Sequence, residues 1–86
     1  MPAHYCYLLR CSDGSFYVGV TDDPERRLAE HSSGKAAAYT FRRRPVRLVW
    51  TEEHSDLKSA RKREIQLKKW GHRKKEELAA RFPRRR

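Results

Sequence analysis

At 86 residues the chain has room for one domain with one modest core and none for a second or cofactor-binding domain; a chain this long buries roughly 60–65% of the surface it exposes when unfolded. Hydrophobic and charged residues each make up 37%, too apolar for an entirely disordered protein and well above the usual charged share of about 25%. The balance of 21 Lys+Arg against 11 Asp+Glu, formally +10, points to a polyanionic partner, nucleic acid ahead of an anionic membrane surface.

Cys6 and Cys11 form no Cys-x-x-Cys pair and are too few for a metal cluster, so they read as free thiols of a reducing compartment. No apolar run approaches 18 residues and no apolar signal core opens the chain. The expectation is a cytoplasmic protein without a membrane span, residues 1–81 forming one domain and 82–86 a basic tail.

In chain order, residues 5–10 (YCYLLR) read as an aromatic, apolar strand. Asp13-Gly14 centres a turn, and Phe16 to Val20 returns as the second strand of a β-hairpin. Asp23 suits an N-cap and Pro24 the first helical position, which predicts a helix to about Ser32, stopped before Gly34. Residues 34–44 read as a loop with a basic end, closed by Pro45. Val46 to Thr51 alternates as a third strand, and Ser55-Asp56 caps a second helix from about Asp56 to Trp70, with Gly71 as its C-terminal stop. His72 to Arg81 forms a short, highly charged third helix. The order β-β-α-β-α-α predicts an α+β fold, a three-stranded and mostly antiparallel sheet flanked by helices.

The second helix holds an anomaly. At 100° per residue, Leu57, Ala60, Glu64 and Leu67 share one face, and a carboxylate on an apolar stripe is costly unless it is paired or bound to metal. Arg61 and Lys68, a turn away on either side, supply a salt-bridge explanation. The functional alternative is a single carboxylate ligand for Mg²⁺, which often takes one or two carboxylates and fills its remaining positions with water and phosphate oxygens. On the first helix Arg27 and His31 are four apart and share a face, while Leu28 anchors the helix to the sheet. Each has an ordinary explanation, a solvated cation for Arg27 and a helix-end cation for His31. Each also has a chemical one, since guanidinium grips phosphate bidentately and imidazole passes protons near neutral pH. With the turn at Asp13-Gly14, Tyr7 and Tyr17 are placed to face each other across the hairpin.

Tyr5-Cys6-Tyr7, then Tyr17-Val18-Gly19 ten residues after Tyr7, then Arg27, His31 and Glu64, together resemble the GIY-YIG nuclease superfamily over about residues 4–80. The segments LLRCSDGSFYVGVT, ERRLAEH and SSGKAAAYT are similar to its small stand-alone bacterial branch. The resemblance implies three antiparallel strands with flanking helices. It implies catalytic roles for Tyr7, Tyr17, Arg27, His31 and Glu64, with Glu64 as the metal ligand, one Mg²⁺ or Mn²⁺ as cofactor, and Gly19 as a motif glycine that lets backbone approach closely. Two departures stand out: the first motif reads Tyr-Cys-Tyr rather than Gly-Ile-Tyr, and the asparagine that several family nucleases carry after the glutamate has no counterpart, because the chain contains no Asn. Lys68, Lys69, Lys35, Tyr39 and Thr40 are the candidates to stand in for it.

The activity so implied is metal-dependent endonucleolytic cleavage of DNA, in repair or recombination. Lys35, Tyr39, Thr40, Arg42, Arg43, Arg44, Lys68 and Lys69, with the Arg84-Arg85-Arg86 tail, are the expected nucleic-acid contacts, and Phe41, Trp50 and Trp70 the candidate stacking surfaces. Single-stranded or branched DNA is favoured over plain duplex, RNA stays open, and the protein is expected to act as a monomer or weak homodimer away from membranes. The rival reading is a non-catalytic basic nucleic-acid-binding module, which shares the charge but has no need of Glu64 or of the Tyr-Arg-His set.

Overall fold

A computed structural model of the chain describes residues 3–82. Strands β1 (His4–Arg10), β2 (Phe16–Thr21) and β3 (Arg47–His54) form one sheet in the order β2-β1-β3, with both pairings antiparallel. Helices α1 (Pro24–Ser32), α2 (Ala38–Phe41), α3 (Leu57–Lys68) and α4 (His72–Arg81) pack around it. This is the α+β architecture expected. The arginines of the tail lie outside the described residues.

Local chemistry accounts for most of the boundaries. Gly14 takes φ 87°, and its N–H closes the turn onto the Cys11 carbonyl at 3.0 Å; that left-handed conformation is open to glycine without Cβ strain. Asp23 caps α1 by accepting from the Arg26 N–H at 3.1 Å, with Pro24 directly behind it. Asp56 caps α3 by accepting from the Ser59 N–H at 2.8 Å.

Three expectations are corrected. The stretch 34–44 is not all loop, because Ala38–Phe41 forms one helical turn. Gly71 is not the stop of α3: it has φ −74° and stands at the N-cap of α4, while α3 ends at Lys68 with Lys69 as its C-cap. The third strand runs on to His54, because His4 pairs with His54 and gives those extra residues a partner.

The sheet separates two apolar layers by strand alternation. Cys6, Leu8, Val18 and Trp50 pack on one side with Leu67 of α3 and Leu78 of α4. Tyr7, Leu9, Cys11 and Val46 pack on the other, with Leu28 of α1 against them. Both cysteines are free and buried. Among the described residues no helix is long and apolar enough to cross a membrane.

Candidate active site

The β1–β2 register pairs Tyr7 with Gly19 and Leu9 with Tyr17. The two tyrosines therefore do not oppose each other directly, as the turn position led us to expect. They sit on one face along a diagonal, with ring centroids 6.5 Å apart, within the reach of large side chains on neighbouring strands. The residue opposite Tyr7 is glycine for a steric reason: a Cβ on Gly19 would run into the phenol ring of Tyr7. The close approach made at Gly19 is thus that of the Tyr7 side chain.

His31 reaches this face from the last turn of α1. It is fully buried, its Nε2 2.8 Å from the Tyr7 hydroxyl and its Nδ1 2.7 Å from Thr40 Oγ1. The Tyr17 ring stands edge-on to the imidazole at 5.0 Å between centroids. Burial lowers the His31 pKa below its ordinary 6.5, and Arg27 adds to the effect while Glu30 opposes it. A solvated helix-end cation is therefore not what His31 is; it is a neutral ring enclosed between two hydroxyls. Tyr7 is almost fully buried, and desolvation raises its pKa to about 12, with the Arg27 guanidinium working against that rise and Tyr17 and Glu64 adding to it.

Arg27 is half-buried and borders the phenol, its Nη1 2.8 Å from Glu30 Oε1. Glu64 lies on the inward side of α3 between the buried Ala60 and Leu67, its side chain 12% exposed. Leu57, expected on the same stripe, is 43% exposed, so the inward face starts at Ala60. The Glu64 carboxylate is 3.1 Å from Lys68 Nζ and 3.4 Å from Arg61 Nη1, and its charge is felt by both Tyr7 and Cys6. Among the described residues no group of three or more His, Cys, Asp or Glu side chains comes together. A metal here would be held by the Glu64 carboxylate, which fits a hard cation that keeps several waters and takes substrate oxygens.

The expected nucleic-acid contacts divide sharply. Thr40 is fully buried on His31, so it is not available as a docking residue. Lys35, Arg42 and Lys69 are exposed. Tyr39 is 37% exposed, with the Arg43 guanidinium 3.8 Å above its ring and Tyr17 6.0 Å away. Arg43 is held by Asp13 Oδ2 and the Tyr39 carbonyl, each at 3.0 Å. Arg44 donates to the Phe41 carbonyl at 3.0 Å and covers the half-exposed Phe41 ring. Lys68 is engaged with Glu64. Trp50 is buried in the core and offers no stacking face, and Trp70 packs on the same core with the Lys74 ammonium 5.0 Å from its ring. The role of Thr40 as the partner of His31 was not legible in sequence. They stand nine positions apart across an irregular stretch, and no periodicity relates a hydroxyl in such a stretch to a helix.

The arrangement brings together a buried phenol, a neutral imidazole and a guanidinium, with the Glu64 carboxylate near enough for its charge to reach the phenol; these are groups able to move a proton and to stabilise an anion. The model of the GIY-YIG catalytic domain matches residues 3–77. A UPF0213 protein of Enterococcus faecalis is 46% identical over 82 residues, covering 93% of each chain. A UPF0213 protein of Natronomonas pharaonis is 46% identical over 77 residues, covering 90% of this chain and 91% of its own. Among solved structures, the UPF0213 protein of Bacillus halodurans is similar with a TM-score of 0.58 at 45% identity, covering 91% of this chain and 83% of its own. A protein of E. faecalis has a TM-score of 0.61 at 44% identity, covering 90% and 82%. These relatives carry names that state no activity; the matching domain model and the shared fold nonetheless agree, and the chain belongs to the GIY-YIG family.

Proposed function

We propose that the protein is an endonuclease that hydrolyses phosphodiester bonds in DNA, with Tyr7, Tyr17, Arg27, His31 and Glu64 as its working residues. The observation that carries this reading is the 2.8 Å hydrogen bond between the Tyr7 hydroxyl and a buried His31. A neutral imidazole there takes a proton that the phenol could not release alone, because burial holds Tyr7 near pKa 12.

The steps balance without a free phenolate. The attacking water passes a proton to the Tyr7 oxygen while the Tyr7 proton moves to His31 Nε2. The water oxygen forms a bond to phosphorus, and the P–O3′ bond breaks. The leaving oxygen takes a proton from solvent, and His31 later returns its own. Tyr17, edge-on to His31, orients the water. Arg27 keeps Glu30 on one nitrogen and presents its remaining donors to the phosphate. Glu64 would hold one Mg²⁺ or Mn²⁺, which when bound supplies charge stabilisation to the phosphate and the leaving oxygen.

Single-stranded or branched DNA suits the exposed ring of Tyr39, beside Tyr17, and that of Phe41, because unpaired bases stack on aromatic faces. RNA with unpaired bases meets the same chemistry. The Lys68–Glu64–Arg61 ion pairs favour a second reading, in which Glu64 is already neutralised and the domain binds nucleic acid without cutting it.

Labelled single-stranded, flapped and duplex oligonucleotides incubated with Mg²⁺, Mn²⁺ or EDTA separate the two readings. Cleavage abolished by EDTA is expected, with Glu64→Gln and Arg27→Ala at least about 100-fold slower and Glu64→Gln still binding. Binding without cleavage in the parent, or a Glu64→Gln variant that cuts at the parent rate, sinks the hydrolytic reading.

A further inference from the structure

We infer that Thr40 is a positioning residue that sets the tautomer of His31, holding the imidazole proton on Nδ1 so that Nε2 stays bare toward Tyr7. The hydrogen bonds leave this as the one direction in which every group in the chain is satisfied. Thr40 Oγ1 lies 3.1 Å from the carbonyl of Ala37 and 2.7 Å from His31 Nδ1. A threonine has one proton to give. Given to the carbonyl, which is only an acceptor, it leaves the hydroxyl oxygen to accept from Nδ1–H. Nε2 is then the acceptor for the Tyr7 hydroxyl at 2.8 Å.

The opposite direction fails at the far end. With Nε2 protonated, it would donate to the Tyr7 oxygen, and the Tyr7 hydroxyl proton would need another acceptor. The polar group bordering that buried phenol is the Arg27 guanidinium, which can only donate. Arg27 therefore fixes the polarity of the whole chain from the Tyr7 end, while at the other end the Ala37 carbonyl, which also accepts from the Phe41 N–H at 2.9 Å, receives the Thr40 proton.

The segment after α1 is built to deliver Thr40. Gly34 turns the chain with φ 84°, and a Cβ there would meet the Phe41 ring at 2.8 Å. The single turn Ala38–Phe41 is seated tightly in consequence, with Thr40 inward and fully buried while Tyr39 and Phe41 face out. A four-residue helix with no side-chain cap is weak by itself, so its seating on α1 maintains it.

What the tautomer does for catalysis rests on the hydrolytic reading above; the tautomer itself does not. The test is a two-bond ¹⁵N–¹H correlation spectrum of the labelled full-length protein at pH above 7, with the His31 signals assigned by their loss in His31→Gln. The parent is expected to show Nδ1 protonated and Nε2 bare. Thr40→Ser keeps that pattern, and Thr40→Val loses it. In the cleavage assay Thr40→Val is expected to lower kcat about 10–100-fold, the usual cost of removing such an outer partner, with KM unchanged, and Thr40→Ser to restore it. A parent spectrum with the proton on Nε2, a Thr40→Val spectrum identical to the parent, or a Thr40→Ser spectrum that loses the parent pattern overturns the inference. If Thr40→Val does not fold, the parent and Thr40→Ser spectra still decide it. A parent that shows the expected tautomer but cuts nothing under any metal fails the hydrolytic reading alone.

Discussion

His31 illustrates how much a residue's chemistry depends on where its water went. Four residues from Arg27 on a charged helix, it would be an ordinary surface imidazole with a pKa near 6.5. Enclosed between Tyr7 and Thr40, it has its charged form disfavoured and its pKa lowered. The folded protein then holds fewer protons here than the unfolded chain just below pH 6.5. The stability that a neutral His31 contributes is full above pH 6.5 and is lost as the pH falls through the lowered value. Urea midpoints measured from pH 8 to pH 5 should fall more for the parent than for His31→Asn. Parallel curves would mean that His31 is not buried neutral. Cleavage should show an acid limb in the same window, because a protonated Nε2 takes no proton from Tyr7. Tyr7 itself should keep its proton until about pH 12, so the alkaline side of the profile reports other groups.

At the scale of the element, the hairpin decides which side chains meet. Its turn chemistry sets the β1–β2 register, and the register places Tyr7 over Gly19 instead of over Tyr17. Gly19 needs no unusual φ, so the case for glycine rests on the phenol ring that covers it. Gly19→Ala should destabilise the fold by about 1–3 kcal/mol, the typical cost of forcing extra atoms into a packed site. It should also push Tyr7 off His31. A urea melt measures the first effect, and the His31 ring signals in the ¹⁵N spectrum measure the second. An unchanged melt would show that the ring moves aside freely. The hairpin, the caps of α1 and α3 and the shared face of Arg27 and His31 were all readable, because each depends on residues at most a few positions apart. The one-turn α2 was not: its four residues carry neither a cap nor a full helical period.

For the whole molecule, the charge balance of +10 acts as a field as well as a set of contacts. Some of the cations are engaged internally: Arg43 with Asp13, Lys68 with Glu64, Arg26 with Asp22. Arg42 and Lys69 are exposed on separate elements. Affinity for a single-stranded oligonucleotide should fall linearly with log salt, and replacing Arg42 and Lys69 by Ala should flatten the slope by about 0.7 for each phosphate that is no longer neutralised. A slope that does not change with both replaced would remove these two residues from the docking surface. Neither substitution should alter the melt, since both side chains lie outside the packed layers.

The sequence by itself determined the fold class, the hairpin and the capped helices, and it picked out Tyr7, Tyr17, Arg27, His31 and Glu64 as candidates, because turn chemistry, helical period and motif spacing are properties of the chain read locally. Tertiary structure alone decided how those groups are joined. The Tyr7–His31 hydrogen bond spans 24 residues and His31–Thr40 a further nine, so both exist only once the sheet, α1 and α2 have closed on one another. The neutrality of His31 and the high pKa of Tyr7 likewise come from desolvation. How much water a group loses is set by what packs over it, which no spacing along the chain records.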